Sequence, residues 1–270
     1  MVEIKAKYKI GTRRFGNINW IGAWTLYKKE VLRFLIVWIQ TILSPLISAL
    51  LFLLVLSLAI GTERGEFLGL PFINFLAPGL IAMQIIQQSF SHSSSSFMIG
   101  KIQGNIVDIL YAPLSAFEVT TAITLAAVTR SIIIAMVSII TFYFIIDLKI
   151  INYGTLILFT FLSAFVLGAI GIIAGLVADK FDTMAAITNF VIVPLSFLSG
   201  TFYTIDRLPE FFQSISLINP FFHIINIFRY GFLGKSDGDL YFGVIYLPIL
   251  AIVGWAISFY LYKIGYKIKS

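Results

Sequence analysis

His92, His223 and Arg130 are the side chains best equipped for chemistry within the apolar stretches of this 270-residue sequence. Neither histidine sits in an H-E-x-x-H or G-x-S-x-G pattern, and no two carboxylates share the middle of an apolar run. Asp108, Glu118, Asp147, Asp179 and Asp182 fall at or near the ends of those runs, whereas a proton-driven carrier would place acids at mid-depth. The absence of cysteine excludes disulfides and thiolate-bound metals. No catalytic, cofactor-binding or metal-ligating residues are therefore expected in the chain, and it is read as a non-enzyme. One string resembles a phosphate loop: "RYGFLGKS", Arg229 to Ser236, has Arg229 where G-x-x-x-x-G-K-[ST] needs glycine. It also follows helical sequence rather than a strand, so Gly234 is read as the end of a helix, with Lys235 favourable beside its C-terminus.

What remains is polarity of the kind that lines a passage. Gln84, Gln87 and Gln88 precede "SHSSSS" at Ser91 to Ser96, and Gln84 and Gln88 stand one helical turn apart. Such a stripe avoids lipid, either by hydrogen bonding between helices or by lining a passage or a subunit seam. Arg130 is the one charge inside a predicted span. A central arginine costs about 2.5–3.5 kcal/mol on insertion scales, so it needs an ion-pair partner or a watery surface attractive to an anionic substrate.

These residues sit in a chain that is 59% hydrophobic and 12% charged, with a mean hydropathy of +0.96. A water-soluble domain does not carry that composition. Six runs are long enough to supply the roughly 20 apolar residues of a spanning helix: 34–62, 67–100, 119–146, 150–178, 183–205 and 240–262. Lipid satisfies no backbone group, and alternating barrel segments are absent, so an all-α membrane protein of six spans is expected. With the N-terminus inside, thirteen Lys/Arg lie on the cytoplasmic side and five outside. That count places both termini in the cytoplasm. The net charge of +6 is accounted for by anionic lipid, and no nucleic-acid partner is expected. The first apolar run begins too late and is too long for a secretory signal peptide.

Three segments do not span. Trp20, Trp24, Tyr27, Val31 and Phe34 form one helical stripe flanked by Lys28, Lys29 and Arg33, which predicts an interfacial helix over 18–34 capped by Asn19. "GKIQGNIVDILYAPL", 100–114, reads as a short amphipathic cytoplasmic helix, with its apolar face resting on the membrane or docking a partner. Residues 206–234 are broken at Asn219-Pro220, where the residue before proline resists the α conformation. Two half-helices are expected, from about Arg207 to Leu217 and from an Asn219 cap with Pro220 at its first position to Gly234. The chain would thus enter the outer leaflet and turn back. In the fourth run, Ala164, Gly168, Gly171 and Gly175 are spaced to admit a close helix.

"FLAPGLI", "GKIQGNIVDILYAPL" and above all "PLSFLSGTFYTIDRLPEFFQSISLINPFFHIINIFRYGFLG" resemble the ABC-2 type permeases, membrane subunits of bacterial ATP-binding cassette exporters. The resemblance covers essentially the whole chain as a single domain, 1–270. It implies a homodimer in the cytoplasmic membrane with the passage between subunits, and a separate cytoplasmic subunit that binds ATP and Mg. It further implies a coupling helix at 100–114 and a re-entrant outer hairpin at 206–234. Lys101, Gln103, Ile106, Asp108 and Ile109 are then the expected coupling residues, and Gln84, Gln88, Arg130, Asn219 and Pro220 those of passage and gate. The expected cargo is a drug, lipid, glycolipid or glycan. From a different class, an ATP-independent channel or membrane scaffold would fit the same composition.

Overall fold

Five helix starts among the described residues are written as side-chain caps. Asn19, Asn152, Asn219 and Asp239 each accept a hydrogen bond from an amide of the turn that follows. Ser115 and Glu118 close a reciprocal capping box. The computed structural model describes residues 18–60 and 69–268. Lys5, Lys7, Lys9, Arg13, Arg14, Arg64 and Lys269, counted above for orientation, lie outside the described residues, as do the remaining ends of the 1–270 domain.

The elements are α1 (Trp20–Ile36), α2 (Ser44–Ile60), α3 (Phe72–Ile102), α4 (Ile106–Tyr111), α5 (Ala116–Ile146) and α6 (Tyr153–Val177). They continue with α7 (Phe181–Ile187), α8 (Val193–Phe197), α9 (Glu210–Ile218), α10 (Pro220–Leu233) and α11 (Leu240–Lys263). Widened π turns at Ile39–Leu43 and Thr188–Ile192 join α1 to α2 and α7 to α8. Each precedes a proline, Pro45 and Pro194. A proline ring clashes with the carbonyl four residues back, here Thr41 and Phe190, and the extra residue in the turn makes room for it.

Among the described residues, four helices are long and apolar enough to cross a membrane: Ile39–Ala59, Ala116–Ile146, Tyr153–Val177 and Leu240–Lys263. The second expected span, α3, is 31 residues long, but its glutamine and serine strip dilutes its hydropathy. The fifth yields a shorter apolar helix, Phe181–Phe197. In the 206–234 segment, α9 and α10 meet at 82° across Asn219. Asn219 caps α10 as expected, while α9 begins at Glu210, after a 3-10 turn at Ile205–Arg207.

Two expectations shift. Gly104, at φ +74°, breaks the 100–114 segment, so α3 runs on to Ile102 and the amphipathic helix is only Ile106–Tyr111. On α1 the buried line is Leu26, Glu30 and Phe34, while Trp20 and Trp24 are 71% and 64% exposed. The helix lies against α5 with Tyr27, Val31 and Phe34 of the stripe half-buried or buried, while the tryptophans at its start stay outward.

The polar α3 is the centre of the bundle, packed on α2, α5, α6 and α10. Phe75, Leu76, Ile81, Ile85 and Ile86 are sealed in the core. The close approach predicted for α6 is real. A Cβ on Gly171 would stand 2.6 Å from the Phe90 carbonyl, and one on Gly175 2.8 Å from that of Ser94. Gly171→Ala is expected to destabilise by about 1–3 kcal/mol through overpacking. Gly254→Ala, whose new methyl would sit 3.8 Å from Ala169, should be neutral or slightly stabilising. Thermal unfolding in detergent separates them; equal midpoints would mean that α6 is not held against the α3 backbone.

Candidate functional site

A cleft of about 780 Å³ opens along the polar strip of α3. Gln84, Gln87, Gln88, Ser91, Ser95 and Ile99 recur along one face of that helix and line one wall. The opposite wall is the end of α1, the π turn and the start of α2, with Arg33, Gln40, Thr41, Ser44 and Ser48. Arg130 enters from α5, and Gln103 marks the end of the cleft nearest α4. Gln84, Gln88 and Arg130, singled out from the sequence, are thus brought together. Gln84 Nε2 donates to the Pro45 carbonyl and joins α3 to α2. Arg130 donates through Nη2 to Gln88 Oε1. Among the described residues Arg130 makes no ion pair: its hydrogen-bond partner is a neutral amide.

A second buried charge cluster supports the cleft from behind. Glu30 is 3% exposed at its side chain and accepts from Arg33 Nε at 2.9 Å. Arg33 also reaches the His92 carbonyl at 3.0 Å and Ser95 Oγ at 3.3 Å. These bonds fix α1 to the middle of α3. The sequence reading missed Glu30, because a single acid among the bases of an amphipathic helix looks like a solvated flank.

The other end of α1 is tied with equal care. The Asn19 amide donates to Glu118 Oε1, and its side-chain amide donates to the Pro113 carbonyl at 3.1 Å. Glu118, 2% exposed, accepts also from the Ser115 amide. α1 therefore spans from the α4–α5 junction to the cleft wall.

At α4 the expected coupling residues divide. Ile106 is buried and Ile109 half-buried, whereas Gln103 and Asp108 are exposed. Lys101 is turned inward, where Nζ donates to the carbonyls of Leu176 at 2.8 Å and Ala178 at 2.6 Å and closes the end of α6. Lys267 pairs with Asp179 at 2.9 Å beside it, a hydrogen bond that holds the Asp179 carboxyl below its usual range. The exposed apolar side chains of α4 are Val107, Leu110 and Tyr111, the last 87% exposed. Val107 and Tyr111 went unremarked in the sequence; their signal was the i, i+4 spacing on a helix whose other apolar face is already satisfied.

At the far end, Asn219 accepts from the Phe221 amide and donates to the Leu195 carbonyl and to Ser199 Oγ at 3.0 and 2.9 Å. Pro220 occupies the first position of α10. Arg229 corrects the sequence reading, which counted it as an outer flanking base. Only 1% exposed, it lies 3.8 Å over the Phe75 ring, donates to the Gly200 carbonyl at 2.8 Å and stands 3.9 Å from Asp237. Asp237 in turn accepts from the Ile205 amide and is pushed up in pKa by burial. Asp237→Leu should therefore strand a buried guanidinium and destabilise by about 3–5 kcal/mol, with part of the loss recovered in Arg229→Met/Asp237→Leu. Thermal unfolding tests this; a single variant as stable as the parent would mean that Phe75 and Gly200 suffice to hold Arg229.

The family model described as ABC-2 type transporter matches residues 22–233. The inner membrane transport permease YadH of Escherichia coli K12 is 30% identical over 245 residues, covering 89% of this chain and 96% of its own. Nodulation protein J of Rhizobium leguminosarum bv. viciae is 25% identical over 260 residues, covering 92% and 95%. Its counterpart in Sinorhizobium fredii is 24% identical over 262 residues, covering 89% and 91%.

Proposed function

The chain belongs to the ABC-2 type transporter family, and from that membership we propose that it is the membrane subunit of an ATP-binding cassette exporter. It would work as a homodimer in the bacterial inner membrane, with ATP and Mg bound by a separate cytoplasmic subunit. The observation that carries this reading is the cleft. A bundle otherwise filled with Phe, Leu and Ile keeps open a space lined by glutamines, serines and two arginines, which folding alone would have closed with apolar side chains. The name of the Escherichia coli relative, an inner membrane transport permease, supports the location.

Six passages with both termini cytoplasmic agree with the count of bases. α3 and α5, at 31 residues each, are about 46 Å long, whereas the hydrocarbon layer is about 30 Å thick. The end of α3 and the start of α5 both lead into α4. We assign that overshoot to the cytoplasmic side, where α4 meets the ATPase through Gln103, Val107, Asp108 and Tyr111, with Ile106 and Ile109 as its anchors and Lys101 as its brace. Movement of α4 would pass through Pro113 and Asn19 to α1, and through Arg33 to the cleft wall. On the outer side, α9 and α10 turn back as a hairpin, and Asn219 and Pro220 set the angle of the gate. The cargo is an amphiphile of drug, lipid or glycolipid type.

Tyr111→Asp and Val107→Asp place charge on the docking face without touching the core. Each should weaken capture of the ATPase subunit by roughly 30-fold or more, the scale of an interfacial anchor. Substrate-stimulated ATP hydrolysis should fall with it, while the permease unfolds at the parental temperature. Undiminished ATPase capture in both variants would contradict the coupling role. Substrate flux without any ATPase would instead indicate an ATP-independent channel.

A further inference from the structure

Arg130 is 8% exposed and its Nε has no hydrogen-bond partner. Its one hydrogen bond to a side chain goes to the uncharged Gln88, and among the described residues no carboxylate pairs with it. A guanidinium withdrawn from water without a counter-charge is one of the most unfavourable arrangements a fold can hold. Arg33, the other cation of the cleft, shares its charge with Glu30 behind the wall. The lining of the cleft contains two arginines and no acid. Its remaining polar groups are amides and hydroxyls, which can donate to an oxyanion as well as accept from a polyol.

Space and surface narrow the choice. At about 780 Å³ the cleft is far larger than a free inorganic anion requires. Ser48 lines both this cleft and an apolar groove along α2 formed with Leu51, Phe52 and Val55. A polar, cationic chamber thus adjoins an exposed apolar face of α2 at one shared residue. From this we infer that the cleft binds the phosphate-type oxyanion of an amphiphile headgroup on Arg130, with the apolar chain laid along Leu51, Phe52 and Val55 of α2. The inference rests on the transporter reading of the same cleft and names its substrate class. The guanidinium fork suits a phosphate in particular, since two parallel N–H donors match two oxygens of one tetrahedral group.

The test is equilibrium binding to the purified full-length permease, without ATP or ATPase. The probe is a fluorescently labelled lysophosphatidic acid, beside the monoacylglycerol of the same chain and inorganic phosphate. The phosphorylated probe should bind roughly tenfold or more tightly than the monoacylglycerol, and Arg130→Gln should remove that advantage. Gln88→Glu guards against a folding artefact. It supplies Arg130 with an internal counter-ion, so the protein should unfold no earlier than the parent and yet lose the same preference. Equal binding of the two lipids by the parent would overturn the proposal, and so would a preference retained in a folded Gln88→Glu protein. Displacement of the probe by inorganic phosphate at matching concentration would assign the site to the free ion and overturn the headgroup reading. None of these results touches the transporter reading itself, which the α4 variants and flux measurements test separately.

Discussion

Hydrocarbon gives a polar group nothing to bond to, so a donor or acceptor carried into this bundle is answered from within it or left at a cost. That constraint falls hardest on α3, where the glutamine and serine strip sits at the centre of the fold. Ser89 meets Ser131 at 2.7 Å, Gln84 is bound to the backbone of α2, Gln88 to Arg130, and the His92 carbonyl to Arg33. The glycines of α6 bring its backbone against the same helix and remove the space a lipid or a larger side chain would take. Because the polar groups hold α3 in place from three sides, the apolar residues around it need only fill volume. The cleft is what remains on the side that α2 covers incompletely.

The same constraint explains why the two ends differ. Toward α4, buried Glu118 gathers the amides of Asn19 and Ser115, and the α4–α5 junction and the start of α1 become one piece. At the α9–α10 end, buried Arg229 joins α10 to α3 through Phe75 and to the loops at Gly200 and Asp237. Each end is locked by one buried charge with partners distant in sequence. α1 touches both the α4 end, through Asn19, and the cleft, through Arg33, without being covalently continuous with α4 as α3 and α5 nearly are, which makes it a carrier of movement between them.

Local features were legible in the sequence because their cause is local. Asn219 as a cap, Pro220 at the first helical position and Gly234 at the close of α10 are each fixed by neighbours within four residues, and all three stand where the pattern put them. The small-residue stripe of α6 was readable for the same reason. Long-range partners were not. Asn19 and Glu118 are 99 positions apart, and Arg229 and Gly200 are 29 apart, so nothing near either charge betrays its burial. Arg229 read as an outer flank and Glu30 passed without notice because composition assigns a charge to water unless a partner is visible. The cleft was half legible: its glutamines and Arg130 were named, while the α1 and α2 wall that completes it depends on where a π turn sends the chain.

The central claim is that the cleft beside α3 is the passage and that ATP on a partner subunit changes which side it opens to. The most direct measurement uses Gln87→Cys in this cysteine-free chain, reconstituted with its ATPase subunit in vesicles of known orientation. The rate of reaction with a membrane-impermeant maleimide is then read from each side. The account predicts reaction from the cytoplasmic side without nucleotide, and a fall of that rate with a rise from the outer side when the ATPase is trapped with ATP. Rates unchanged by nucleotide on both sides would contradict it.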